Sequence, residues 1–243
     1  MIQFLEDKVI GKDGNLAVWA KPETGHQYVI GGDVAEGLEH GDYSAAHVID
    51  ATTGTQVAVW HGHTPADVFG DELEILGLWY NSALVGVEQN NHGLTTITKL
   101  RQLNYPHIYR HRTIDQVSKK VTLKFGWPTN KATKPKMIDD LDEALRKGEL
   151  TLHHKRTIAE LKTFVRDEHA RMHGSPFDDL VMSLAIAYQM VPYVFQVDEV
   201  NPTDDRWTGD WWARQAGIVN TSTGAHAEGA TDQPIGFHNQ RAR

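Results

Sequence analysis

The 243-residue sequence contains no cysteine, which excludes disulfide staples, thiolate zinc sites and thiol nucleophiles. It also lacks a long apolar run. The best candidate, Leu180 to Phe195, is interrupted by Ser183, Gln189 and Pro192 and is too short to cross a bilayer. Glu6, Asp7, Lys8, Lys12 and Asp13 stand where a secretory signal would need an apolar centre. There is no excess of positive charge: 24 Lys and Arg against 32 Asp and Glu leave a formal −8. Taken as an average, that argues against a surface built throughout to grip nucleic acid or anionic lipid. No GxxxxGK[ST] phosphate loop and no internal repeat occur. These absences read as a soluble protein with no membrane association, whose hard-ligand chemistry must come from Asp, Glu and His.

At roughly 150 residues per domain, the length predicts one large domain with appendages. Residues 1–25 read as a lead-in with one short strand around Leu16 to Trp19. Tyr28-Val29-Ile30 running into Asp33, Ser44 to Asp50, and Thr55 to His61 predict an antiparallel meander, with Thr52-Thr53-Gly54 as its second turn. Pro65 suits a first helical turn, and Val68, Phe69, Leu73, Leu76 and Trp79 or Tyr80 recur at helical spacing toward Asn81. The continuous apolar run Ala83 to Val87 then reads as a parallel strand buried on both faces, reached through that crossover helix. A helix over His92 to Leu103, a short strand over His107 to Tyr109 and a polar segment ending near Lys136 follow. Helices are predicted at about Met137 to Lys147, Arg156 to Val165 and Pro176 to Met190. The last presents Phe177, Leu180, Val181, Leu184, Ala185 and Tyr188 on one apolar face. The predicted fold class is therefore α/β, a mixed sheet of three antiparallel strands and then parallel strands, flanked by helices. The folded domain spans 26–195. Residues 196–243 read as a flexible tail with Trp207, Trp211 and Trp212 as local anchors.

Acidic residues fall at telling points of this order. Asp33 ends the first strand of the meander, Glu88 follows the parallel strand, and Asp178 and Asp179 open the last helix. If the first and fourth strands are neighbours, Asp33 and Glu88 lie side by side and the helix can deliver its carboxylates to the same point. Such a cluster repels itself unless a hard divalent cation, Mg²⁺ or Mn²⁺, neutralises it. Two ions about 4 Å apart would clamp the attacking and leaving oxygens of a phosphodiester, so metal-assisted hydrolysis is the leading reaction class. Each acid also has an ordinary reading. Asp33 after Gly31-Gly32 suits a turn or cap, and Asp178 and Asp179 suit a helix dipole. Asp42 and Glu36, in the loop between the first two strands, are a further ligand or solvated turn residues.

These stretches resemble the nuclease domain of the large terminase subunit of tailed bacteriophages, in the RNase H-like superfamily. The matching segments are Tyr28 to Gly37 with Gly41-Asp42-Tyr43-Ser44, Val85 to Asn91, and Asp178-Asp179-Leu180-Val181 leading into Ala185. Gly126-Trp127 to Met137 is similar to the family's loop between acidic motifs. The resemblance covers about residues 15 to 192, and implies an RNase H-like fold and Mg²⁺- or Mn²⁺-dependent cutting of concatemeric viral double-stranded DNA during headful packaging, with little sequence preference. By that mapping Asp33 bridges two metals, Glu88 holds one, and Asp179, with Asp178 as partner, completes the site; Asp42 is an additional ligand candidate. Partners implied are the terminase ATPase domain, the portal and the small terminase subunit, in the host cell cytoplasm. Family enzymes carry an N-terminal packaging ATPase; against that pattern this sequence reads as an excised domain or a separately encoded nuclease, and translocation is not assigned to it.

Charge is distributed unevenly. Lys99 to Lys136 holds ten basic residues and one acid, Asp115, a formal +9 that leaves −17 for the remainder. Within it Lys131, Lys134 and Lys136 form a Pro- and Thr-containing loop that, with Lys124 and Arg112, is expected to track the DNA backbone. The histidine pairs His61/His63, His153/His154 and His169/His173 match no zinc spacing with a third ligand; His173 reads as a surface residue or a proton shuttle. Other readings are a Holliday-junction resolvase or transposase-type nuclease, a motor-docking module in which cutting is secondary, and an actin- or sugar-kinase-type nucleotide fold.

Overall fold

The computed structural model describes residues 3–5, 8–10, 15–37, 41–114, 119–166, 172–174 and 177–195. The chain divides at Val197, and the described residues all belong to the unit Met1–Val197. The tail tryptophans Trp207, Trp211 and Trp212, together with Asp115, His169 and Pro176, lie outside the described residues.

Strands β1 (Gln3–Leu5), β2 (Lys8–Ile10) and β3 (Leu16–Val18) precede the meander β4 (Tyr28–Asp33), β5 (Ser44–Asp50) and β6 (Thr55–Gly62); helix α1 (Ala66–Trp79) then leads to β7 (Leu84–Val87). All seven form one sheet in the order β1-β2-β3-β6-β5-β4-β7. β4 and β7 are its parallel pair, and the other neighbours are antiparallel. The predicted meander, crossover helix and parallel strand are all present, and β3 occupies the strand expected near Leu16. β1 and β2 were not foreseen, because three-residue strands are too short to show a period of two.

The remaining elements are α2 (Asn91–Gln102), β8 (Arg110–Ile114), β9 (Val121–Phe125), α3 (Thr133–Lys147), α4 (Lys155–Thr163), β10 (Val165–Arg166), β11 (Met172–His173) and α5 (Asp179–Val194). The strand expected at His107 to Tyr109 is a single parallel bridge between Ile108 and Val85, after which the chain enters β8. The polar segment is an antiparallel β8–β9 hairpin. Its strands are largely solvent-exposed, so the sequence carries no buried face from which alternation can be read. Lys134 and Lys136 lie in the first turns of α3, not in a loop. Pro135 disguised the helix: in the first turn its missing N–H leaves no bond unmade.

Alternation along β4 sends its residues to two different layers. Tyr28 and Ile30 join the core beneath α1 and α2, whereas Val29 joins the core beneath α5. Gly32 faces Phe69 and Leu73 of α1, and Gly31 faces the backbone of α5 at Ser183 and Ala187. Gly86 of β7, paired with Gly31, sits under Met190. Glycine at both positions lets α5 lie directly on the strands. α5 is also covered from outside by α3 and α4. Sequence reading expected one apolar face for this helix, but every residue from Asp179 to Ala187 is buried. A helix clasped on both sides needs small or apolar residues all round, here Ser183, Ala185 and Ala187 among them.

Candidate active site

Asp33 is the last residue of β4 and Glu88 the first after β7. The parallel register sets Gly32 opposite Val87, and the Glu88 N–H donates to the Gly32 carbonyl at 2.9 Å. The period of two then puts Asp33 on the face of Gly31 and Glu88 on the face of Gly86, so both acids emerge toward α5. Their carboxyls are neighbours, close enough for the Glu88 charge to act on Asp33. Asp33 keeps only a narrow opening to solvent. Burial first, and the neighbouring Glu88 charge second, hold its carboxyl well above the ordinary range.

The N-terminus of α5 approaches from above. Asp179, only 7% exposed, accepts the Tyr43 N–H at 3.3 Å through Oδ2. Burial, with the charges of Asp42, Glu160 and Asp178, pushes its carboxyl up to about 7. Asp178 is more open and receives Lys134 Nζ at 3.3 Å. The charges of Asp179 and Asp178 both reach Asp33, so Asp33, Glu88, Asp178 and Asp179 share one region of the protein at the N-terminal end of α5. Asp42 is exposed in the loop before β5, close enough to influence Asp179.

Three contributors carry roles that the sequence did not assign to them. Glu160 of α4 accepts the Leu180 N–H at 3.0 Å, capping α5 from a neighbouring helix. Asn90 donates to Glu88 Oε2 at 2.8 Å. Tyr43 forms a wall beside Asp179: its ring packs on His61 and His63 at centroid distances of 4.4 and 3.9 Å, meets Phe177 edge-on, and lies under the Arg156 guanidinium. Asn90 alone left a readable signal, an Asn three residues before Gly93 at a helix start. The other two arise from contacts distant in sequence.

The five expected DNA-contacting cations separate. Arg112 and Lys124 are exposed on the hairpin and Lys131 in the turn before α3. Lys136 pairs with Asp140 at 2.6 Å within α3, and Lys134 points into the acidic cluster. The histidine pairs are engaged in stacking: His153 and His154 contact Trp19, and His61 and His63 contact Tyr43. His173 is exposed.

Among the described residues, no three His, Asp or Glu side chains stand close enough together to chelate an ion as they are placed. The donor set nevertheless fits a hard divalent cation. Its groups are all carboxylate oxygens, and the repulsion between neighbouring Asp33 and Glu88 is of the kind a bound cation would neutralise.

A three-stranded meander, a crossover to a parallel fourth strand and acids at the ends of β4 and β7 define an RNase H-like domain. Residues 30–191 match the terminase RNaseH-like domain family, well over half of the sequence, and the chain belongs to that family. The fold is similar to the large terminase nuclease from thermophilic phage G20c, with 22% identity, a TM-score of 0.57, and coverage of 74% of this chain and 90% of that one. The same nuclease with bound magnesium gives a TM-score of 0.59 at 22% identity, covering 74% of this chain and 89% of that one. The Thermus phage P74-26 large terminase nuclease domain gives 0.57 at 22% identity, with coverage of 74% and 88%. Among the described residues, no helix is long and apolar enough to cross a membrane.

Proposed function

We propose that residues 26–195 form a divalent-metal-dependent endonuclease that cuts concatemeric viral double-stranded DNA during headful packaging, with little sequence preference. One observation carries this reading: parallel pairing of β4 with β7 sets Asp33 and Glu88 side by side beneath the Asp178–Asp179 end of α5. A pair of Mg²⁺ or Mn²⁺ ions would supply an activated water and charge neutralisation at the scissile phosphate. Asp33 is assigned to bridge them, Glu88 to hold one, and Asp179 to complete the site.

Their surroundings support a division of labour within the acidic pair. Asp179 is buried, and its Oδ2 accepts the Tyr43 N–H. Asp178 is engaged by Lys134. These surroundings support Asp179 as the ligand and Asp178 as its partner, with Asp42 available from the loop. Arg112, Lys124 and Lys131 supply phosphate contacts beyond the cluster, while Lys134 and Lys136, expected to share them, stand on α3 paired with Asp178 and Asp140. None of these is a base-reading device, in keeping with cutting at many sequences. Within the host cytoplasm, the reading places this domain beside a packaging ATPase, the portal and the small terminase subunit.

The test is incubation of supercoiled plasmid with the purified chain in Mn²⁺ or Mg²⁺. The wild type should nick and linearise it, and Asp33→Ala, Glu88→Ala and Asp179→Ala should each lose at least about a hundredfold. Cutting that persists undiminished in all three would remove the metal-site reading.

A further inference from the structure

Asn90 lies outside the carboxylate cluster but touches both strands that build it. Its Nδ2 donates to Glu88 Oε2 at 2.8 Å and also lies 3.4 Å from the carbonyl of Val34, the residue after Asp33. Its Oδ1 accepts the Gly93 N–H at 2.7 Å, capping α2. One planar amide thus has both ends engaged. The acceptor end is fixed by a helix N-terminus, so the donor end is aimed rather than free to rotate. Gly93 permits this: a Cβ there would overlap the Glu88 carbonyl, so only glycine lets α2 start so close to the strand.

Carboxylates that hold metal are ordinarily oriented by a hydrogen bond from a neighbouring group, and loss of that group costs roughly ten- to a hundredfold in metal affinity or activity. We infer that Asn90 is a positioning residue: it occupies one oxygen of Glu88 and turns the carboxylate toward Asp33, using α2 as its rigid support. This inference rests on the nuclease reading of the same cluster. It also gives Glu88-Gln89-Asn90-Asn91-His92-Gly93 a mechanical sense, in which the acid, its orienting amide and the glycine that admits the helix are one unit.

A cap alone and a cap that orients Glu88 make different predictions. Serine caps a helix about as well as asparagine but lacks an N–H of this reach. Asn90→Ser should therefore unfold at nearly the wild-type temperature. It should nonetheless bind Mn²⁺, followed by titration calorimetry without DNA, roughly ten- to a hundredfold more weakly. Its plasmid cutting should recover partly as Mn²⁺ is raised. Asn90→Ala should show the same loss of Mn²⁺ affinity and a lower melting temperature as well. Asn91→Ala, at the exposed next position, should match wild type in both. Wild-type Mn²⁺ affinity in Asn90→Ser would overturn the positioning role and leave the nuclease reading standing. Absence of Mn²⁺ binding and cutting by the wild type itself would overturn both.

Discussion

Gly31 of β4 lies directly against the backbone of Ala187 in α5, with no space between them for a side chain: a Cβ on Gly31 would overlap the Ala187 amide and the Ser183 carbonyl. This contact sets the height of α5 above the sheet, and so the height at which Asp179 stands relative to Asp33.

Gly31→Ala is expected to destabilise the protein by about 3 kcal/mol or more, because the obstructing atoms are backbone and cannot rotate away. Gly32→Ala, one residue along, should change stability by less than about 1 kcal/mol. Its Cβ would meet Leu73, Val87 and Phe69 at ordinary contact distances. Urea unfolding of the two variants measures the contrast, and equal losses would show that α5 does not rest on Gly31.

Removing a carboxylate from the cluster should improve the metal-free protein while abolishing its response to metal. Asp33→Asn relieves the burial and repulsion that hold this group well above its usual range. Its melting temperature without metal should equal or exceed that of wild type. With Mn²⁺ at about a hundred times its dissociation constant, wild type should gain about 2.7 kcal/mol and Asp33→Asn far less. Calorimetric melting with and without Mn²⁺ decides this.

His47 makes stability depend on acidity. It is fully buried, and its ring nitrogens lie 2.9 Å from Ser183 Oγ of α5 and 2.9 Å from Thr157 Oγ1 of α4. Burial holds its pKa well below the usual 6.5, so below that pH the unfolded chain takes up a proton that the folded one refuses. Its contribution is complete above about pH 6.5 and is lost as pH falls, at up to about 1.4 kcal/mol per pH unit. His61, held down to about 3 chiefly by burial, adds in the same direction. His47→Gln should flatten the fall in urea midpoint between pH 7 and pH 5; an unchanged slope would assign the acid sensitivity elsewhere.

Glu160 should act on α5 without contacting the metal ligands' oxygens. Its carboxylate accepts the Leu180 N–H, whereas the residue at the cap position, Asp178, makes no side-chain cap of its own. Glu160→Ala is expected to cost about 1–2 kcal/mol, with Glu160→Gln recovering part of it through its remaining carbonyl oxygen. Urea denaturation of the two variants provides the comparison.

For DNA, the separation of the cations gives unequal expectations. Arg112, Lys124 and Lys131 are exposed, so their joint replacement by alanine should lower the salt slope of binding by roughly 0.7–0.9 per lost phosphate contact. Lys134→Ala should also alter cutting, because it releases Asp178. Binding measured across salt with Asp33→Ala protein separates the two effects. A slope unmoved by the triple replacement would place the DNA path elsewhere.

The sequence by itself determined the meander, the crossover helix, the buried parallel strand and the positions of Asp33, Glu88, Asp178 and Asp179. Period-two and 3.6-residue patterns, turn residues and acids at element ends are local signals that survive in one dimension. It also showed that the −8 average conceals a basic segment. The tertiary structure alone decided how that segment is used: an exposed hairpin, a helix disguised by Pro135, and a lysine spent on Asp178. It also decided that Gly31 and Gly86 form the bed of α5, that Glu160 caps that helix, and that Asn90 turns Glu88. These depend on groups brought together by parallel pairing and by packing across the sheet. Such contacts join residues distant along the chain, and no periodicity within one segment encodes them.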